Sequence, residues 1–331
     1  MINSPKFWYR NDWLSKVLAL IIYPLSIIWI IISFIKKKVS KTYRSRLKII
    51  CVGNLNIGGT GKTPFAIYTY KILKELGFNP VFLTRGYGGK EKGPIKVEST
   101  HQYKDVGDEA LLLNNIGPTI VSRDRSLGAK FIENNKYNYD IILMDDGLQN
   151  YQLEKNIKFL LVDKNLKFGN KLCVPAGPLR EPINQRLKEI DSIILTGNNT
   201  DQDIGLRKVS DYISVFNSSI KIMQSSNIKG NKFLAFCGLG NPDKFYETLE
   251  KGGYKVFLTK SFPDHHQYTE EEINHLILKA KNKNLTLITT AKDYVKILDK
   301  KNEIQVLSIE SSFNAKDELR FKAFLKEKLN A

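Results

Sequence analysis

The segment Gly58-Gly59-Thr60-Gly61-Lys62-Thr63-Pro64 constrains this chain more than any other, because it follows the apolar run Ile49-Ile50-Cys51-Val52 and precedes a stretch with helical character. Glycines in a strand-to-helix turn let successive backbone N–H groups converge on phosphate oxygens, and the following helix adds its positive end. Gly58, Gly59, Thr60 and Gly61 are therefore expected to cradle nucleotide phosphates, with Lys62 reaching the β- and γ-phosphates and Thr63 ligating Mg²⁺. The strict form of this loop has glycine where Asn56 stands here, and asparagine is one of the few side chains that tolerates left-handed backbone.

After this loop, strand-like and helix-like segments alternate. A helix is expected from about Pro64 to Leu76, with Pro64 in its first turn and Gly77 as its stop, and another from Asp108 to Asn114. Val81–Thr84, Ile141–Met144, Phe159–Val162 and Ile193–Thr196 are short apolar runs of the kind buried in parallel sheets. The fold class is α/β: a P-loop NTPase-type parallel-sheet domain over 48–200. Polar residues crowd 197–203 and no compact apolar run returns before Phe233, so 201–230 reads as a linker with room for a small ribbon. Residues 231–331 alternate again and read as a second, smaller α/β domain.

The net charge of +17 raises the question of a nucleic-acid partner, and its distribution answers it. Residues 1–48 hold ten Lys and Arg against one acid, about half of the excess. That charge flanks an uncharged apolar run from Val17 to Ile35, and the remainder is spread without the basic and aromatic interleaving of a nucleic-acid surface. No nucleic acid is expected. The apolar run is at the lower edge of spanning length, while Pro24, Trp13, Tyr23 and Trp29 suit an interfacial helix equally well. Residues 1–47 are thus expected to form a membrane-associated helix and basic flank, with the main body on the cytoplasmic side. Cys51, Cys173 and Cys237 are far apart and lack metal-site spacing, which fits a reducing compartment.

Ile141–Met144 runs into Asp145-Asp146-Gly147, and carboxylates at the end of a strand beside a phosphate loop can hold Mg²⁺ or its waters. Successive side chains of a strand diverge, so one of Asp145 and Asp146 is expected to face the metal, without a decision between them. Asp108 stands at a helix start, where a cap is the simplest role. Asp264-His265-His266-Gln267-Tyr268 holds two of the four histidines; neighbours diverge, which favours an acid–base or phosphate-binding role over a zinc site. Arg85, Arg123, Arg180 and Glu181 lie in loop motifs and are candidates for substrate or phosphate binding.

Taken in order, these segments resemble the tetraacyldisaccharide 4′-kinase (lipid A 4′-kinase) family of Gram-negative bacteria. The resemblance rests on Val52-Gly53-Asn54-Leu55 with the phosphate loop, Thr84-Arg85-Gly86-Tyr87-Gly88, Val106-Gly107-Asp108-Glu109 and Ser122-Arg123-Asp124-Arg125. It continues through Asp145-Asp146-Gly147-Leu148-Gln149, Pro178-Leu179-Arg180-Glu181, Phe262 to Tyr268 and Thr289-Thr290-Ala291-Lys292-Asp293. Leu148 and Ala291 depart from the family's commoner residues, which leaves the role of Lys292-Asp293 open. The resemblance implies Mg²⁺-dependent transfer of the γ-phosphoryl of ATP to the 4′-hydroxyl of an acylated disaccharide 1-phosphate lipid, forming lipid IVA at the cytoplasmic face of the inner membrane. It implies no protein partner. It also implies that Asp108 is the base, coupled to His265 across the two domains, with closure on nucleotide binding. A membrane-peripheral P-loop ATPase or GTPase switch is the alternative; it shares the loop and the apolar helix but has no need of the Asp264–Tyr268 segment.

Overall fold

A computed structural model describes residues 5–135, 137–197, 213–223, 228–299 and 301–330. Its strands are β1 (Lys48–Asn54), β2 (Pro80–Thr84), β3 (Ile95–Lys96), β4 (Thr119–Val121), β5 (Ile141–Asp145), β6 (Ile157–Asp163), β7 (Ser192–Thr196) and β8 (Ser214–Ile222). There follow β9 (Phe233–Cys237), β10 (Val256–Ser261), β11 (Thr286–Thr290), β12 (Ile304–Leu307) and β13 (Ile309–Phe313). The helices are α1 (Trp13–Val39), α2 (Lys62–Glu75), α3 (Tyr103–Val106), α4 (Asp108–Asn114) and α5 (Arg125–Asn134). After them come α6 (Ile183–Leu187), α7 (Pro242–Lys251), α8 (Glu270–Asn282), α9 (Ala291–Tyr294) and α10 (Ala315–Asn330).

The large sheet has the order β13-β8-β7-β6-β1-β5-β2-β4-β3. It is parallel from β8 through β4, and the two edge strands, β13 and β3, run antiparallel to their neighbours. β1 lies centrally and is buried on both faces, which is why its middle, Ile49–Val52, is a continuous apolar run. Alternate residues feed two cores: Ile49 and Cys51 join Leu83, Ile142 and Met144 on one face, whereas Ile50 and Val52 join Phe82, Leu143 and Leu161 on the other. The phosphate loop leaves the end of β1 and Asp145 ends the adjacent β5, so the topology itself brings them together.

Two boundaries differ from the reading of the sequence. Within 201–230, residues 214–222 form β8, which pairs with β7 and β13 in the large sheet; 201–212 and 224–227 lie outside the described residues. The second sheet, β10-β9-β11-β12, ends with β12, after which β13 and α10 return to the first. The driving force is aromatic burial: Phe321 of α10 sits 5.7 Å from Phe65 of α2 and 5.4 Å from Phe216 of β8, ring centroid to ring centroid. Leu325 and Leu329, one and two turns further along, complete the same apolar stripe.

Helix α1 is capped by Asp12, whose side chain accepts from Ser15 N at 2.9 Å. One stripe docks on the large domain: Ser26 donates to Cys173 O at 2.8 Å and accepts from Ala176 N at 3.1 Å, and Trp29 Nε1 donates to Arg180 O at 2.9 Å. The remaining surface is bare hydrocarbon, including Leu14, Leu20, Ile21, Leu25, Ile28 and Ile32.

Candidate active site

The phosphate loop has the expected turn, by a partly different device. Gly58 and Gly61 take φ of +115° and +83°, and Gly61 is the N-cap of α2 with no side chain to cap it, so the first turn of the helix adjoins the loop. Asn56 is not left-handed. It forms a bridge with Leu179, donates from Nδ2 to Lys167 O at 3.0 Å, and receives the Nδ2 of Asn54 on its own carbonyl at 2.8 Å. Side-chain hydrogen bonds therefore close the loop where a glycine would have bent it. Lys62 donates to Asn54 Oδ1 at 3.2 Å and lies 3.6 Å from Asp146.

Asp145 and Asp146 have opposite surroundings. Asp146, which turns the chain out of β5 with φ of +52°, faces Lys62 and receives Arg180 Nη1 at 2.9 Å. Burial works to raise its pKa, but Lys62 and Arg180 outweigh that and hold it below the usual carboxylate range. Asp145 is buried, accepts from Thr63 Oγ1 at 2.8 Å through Oδ2, and leaves Oδ1 without a hydrogen-bond partner among the described residues. Burial, and then the charge of Glu109, push its carboxyl up to about 7. A buried carboxylate with an unused oxygen beside a hydroxyl suits a hard cation, so the donor set of Thr63 and Asp145 fits Mg²⁺.

Asp108 and His265 meet. Asp108 begins α4 because Gly107, at φ of +91°, carries the backbone through a turn so close to the Tyr87 carbonyl that a Cβ there would collide with it. Its Oδ2 lies 2.9 Å from His265 Nδ1 and its Oδ1 accepts Glu109 N at 2.9 Å. The pair is already joined, so no closure is needed to bring its members together. Burial acts to raise the pKa of Asp108, but the bond from His265 and the charge of Lys292 prevail and keep it below the usual range. His265 itself has φ of +58°, and His266 turns away to Glu272 at 2.9 Å and stacks on Phe262; the adjacent histidines diverge as expected.

The loop candidates divide. Arg180 faces Asp146, and Arg85 stands exposed at the end of β2. Arg123 is spent on the loop it borders, donating to Gly89 O at 3.1 Å. Glu181 is turned inward, which removes it from phosphate binding: it is buried against Arg186 at 2.6 Å and takes Gln149 Nε2 at 2.7 Å. Three residues given no role by the sequence contribute. Arg125 is buried, donates to Ser122 O at 2.6 Å, and is pulled down to about 10 by burial and then by Arg85. Glu109 and Lys292 face one another across the dyad at 3.5 Å. Their closeness in space has no counterpart in sequence, and the only local signal was the Lys292-Asp293 motif.

Comparison with known proteins points to one family. The sequence model of the tetraacyldisaccharide-1-P 4′-kinase family matches residues 18–330. A tetraacyldisaccharide 4′-kinase of Parvibaculum lavamentivorans is 40% identical over 299 residues, which cover 89% of this chain and 87% of that one. One from Rickettsia bellii is 38% identical over 326 residues, 98% of each chain. The crystal structure of an "apo" form LpxK from Aquifex aeolicus in complex with ATP superposes with a TM-score of 0.73 at 25% identity, covering 94% of this chain and 99% of that one. Over residues 18–330, from α1 to the last helix, the chain belongs to the tetraacyldisaccharide-1-P 4′-kinase family.

Proposed function

We propose that this chain transfers the γ-phosphoryl of ATP to the 4′-hydroxyl of a tetraacyldisaccharide 1-phosphate, forming lipid IVA, at the cytoplasmic face of the inner membrane. The observation that carries the reading is the Asp108–His265 pair, joined at 2.9 Å and presented by a chain that also holds a phosphate loop. A switch ATPase has no use for that pair. The names of the relatives supply the acceptor.

The backbone N–H groups of residues 58–61 and Lys62 would hold the β- and γ-phosphates, Lys62 exchanging its loose contact with Asp146 for phosphate oxygens. Thr63 and Asp145 would hold Mg²⁺, which when bound neutralises charge on the transferring group. Arg180 keeps Asp146 neutralised as Lys62 leaves it. Asp108 accepts the proton of the sugar hydroxyl; because phosphoryl transfer is largely dissociative, this contributes less than positioning and charge neutralisation.

Helix α1 supports the membrane reading. Its docked stripe lies along the body while its other faces are bare, the arrangement of a helix lying in an interface. Lys36, Lys37 and Lys38 at its end suit anionic headgroups. A groove of about 680 Å³ between α1 and residues 169–172, lined by Trp8, Leu20, Tyr23, Arg10 and Lys16, combines apolar walls with cations as an acylated phosphate requires. The test is label transfer from γ-labelled ATP to tetraacyldisaccharide 1-phosphate in micelles, native chain against Asp108→Asn. Labelled lipid that depends on Asp108 is expected; nucleotide binding with no labelled lipid would return the switch reading.

A further inference from the structure

We propose that Lys292 is a positioning residue that fixes His265 as the neutral Nδ1–H tautomer, so that Asp108, and not the imidazole, receives the proton of the acceptor hydroxyl. The catalytic meaning rests on the kinase reading above; the tautomer does not.

Lys292 Nζ lies 3.2 Å from His265 Nε2. An ammonium has three donors and no acceptor, so this approach is attractive only when Nε2 carries a lone pair. The single proton of a neutral ring then sits on Nδ1, which faces Asp108 Oδ2 at 2.9 Å, a donor against a carboxylate. One tautomer satisfies both neighbours, and an imidazolium would set an N–H against the ammonium. Lys292 is held in place from both domains, at 3.5 Å from Glu109 of α4 and 3.5 Å from Asp264 of the histidine loop. Burial works against its charge, but Glu109, Asp108 and Asp264 outweigh it and keep the ammonium above the usual lysine range.

The backbone under Lys292 is fixed by its neighbour. Asp293 is fully buried and accepts from Gly238 N at 3.0 Å, Tyr268 OH at 3.0 Å and Thr290 Oγ1 at 2.7 Å, tying α9 to the loop that carries His265. It also pairs with Lys296 at 2.7 Å. This gives Lys292-Asp293 two separate tasks, one side chain aimed at the imidazole and the other bracing the loop beneath it.

The remaining groups around the ring are acidic or neutral: Asp264 Oδ1 at 3.9 Å from Nε2, and the Tyr87 ring at 5.0 Å. Without Lys292 no donor would hold Nε2 unprotonated, and Asp264 Oδ1 at 3.9 Å would draw the single ring proton there, away from Asp108. In the transfer step the acceptor O–H bond breaks and its proton goes to a free lone pair of the Asp108 carboxylate. The acceptor oxygen bonds to the γ-phosphorus, and the bond from that phosphorus to the β,γ-bridging oxygen breaks, its electron pair leaving with ADP. An imidazolium already donating to Asp108 would weaken it as the acceptor of that proton.

The chain has four histidines, so histidine-selective ¹⁵N labelling of the full protein in micelles gives a readable ring spectrum, with His265→Gln supplying the assignment. At neutral pH and without substrate, His265 should show a protonated Nδ1 and an unprotonated Nε2. Lys292→Met should let the ring proton pass between the two nitrogens, averaging their shifts toward one another, and Lys292→Arg should keep the native pattern. In steady state, Lys292→Met should lower kcat about tenfold with little change in KM for ATP, and Lys292→Arg should recover most of that loss. A native ring protonated on Nε2, or a Lys292→Met ring unchanged from native, overturns the proposal. Because the spectra need no acceptor lipid, a failed lipid assay would count against the kinase reading and leave the tautomer standing.

Discussion

Asp145→Asn should make the metal-free protein more stable while abolishing its response to Mg²⁺. The carboxyl is buried, with one oxygen on Thr63 and the other unpartnered among the described residues, and burial pushes it up to about 7 from 3.8. Each tenfold displacement of a proton equilibrium is worth about 1.36 kcal/mol, so the ionised native state carries a penalty on the order of 4 kcal/mol. The sign follows from proton counting. At a pH between the two values the native state holds a proton that the unfolded chain has lost, so stability falls as pH rises through that interval and is level above it. Asparagine keeps the shape and removes the titration. In chelator at pH 8 the variant should melt higher by about 5 °C, taking roughly 2 °C per kcal/mol for a chain of this size and allowing for a weaker bond to Thr63. The gap should close toward pH 4.5. Adding Mg²⁺ with ATP should raise the melting point of the native chain and leave the variant where ATP alone puts it. Equal melting points at pH 8 in chelator, or a gap that does not narrow on acidification, would refute the assignment of an uncompensated buried charge to this position.

Three further outcomes can be measured directly. Lys62→Ala and Asp145→Ala should each lower turnover more than His265→Ala, since charge neutralisation outweighs proton transfer in a dissociative step; steady-state rates in micelles with His265→Ala as the most damaging change would contradict this. Arg186→Ala should destabilise the fold by about 3–5 kcal/mol, because it strands the buried Glu181 carboxylate that now meets Arg186 at 2.6 Å; a urea melt showing less than about 1 kcal/mol would mean that Gln149 and Tyr151 suffice. Leu20→Glu with Ile28→Glu, on the bare side of α1 at 71% and 54% exposure, should weaken vesicle co-sedimentation at least about tenfold without moving the melting point. Unaltered sedimentation would remove that face from the membrane.

What the sequence makes legible here is local. The phosphate loop, the acids ending β5 and the turn before Asp108 are each specified by residues within a few positions of one another, and each stands where expected. β8 escaped notice because Ser214–Ile222 interleaves Asn217, Ser218 and Ser219 with its apolar residues, and its burial depends on β13, far along the chain. The return of α10 is invisible for the same reason: its apolar stripe is plain, but nothing in it specifies which sheet it covers. Asn56 marks a subtler limit: its place in the loop is plain from the sequence, whereas its contribution comes from side-chain bonds and not from a left-handed backbone. Glu181 shows the opposite error: a charge beside an arginine reads as a binding group until a buried partner at Arg186 claims it.

The contacts that hold α1 also link it to the site. Trp29 Nε1 bonds to Arg180 O, Arg180 N bonds to Leu55 O, and Ile57 N bonds to Pro178 O, so the helix, the 178–180 loop and the phosphate loop are stitched through consecutive backbone hydrogen bonds. Arg180 carries the guanidinium that neutralises Asp146, the acid that otherwise competes with phosphate for Lys62. On the proposed membrane reading, a helix seated at a fixed level in the interface would set the position of the phosphate loop and, through Arg180, help set the local charge. For the proposed acceptor, whose acyl chains would confine it to the same interface, this stitching would replace a diffusional search in depth with a fixed offset, which is where orientation lowers the barrier most. Trp29→Phe tests the link by removing only the indole donor: the KM for the lipid acceptor should rise while ATP binding is unchanged, and an equal loss in both would show that the bond serves the fold alone.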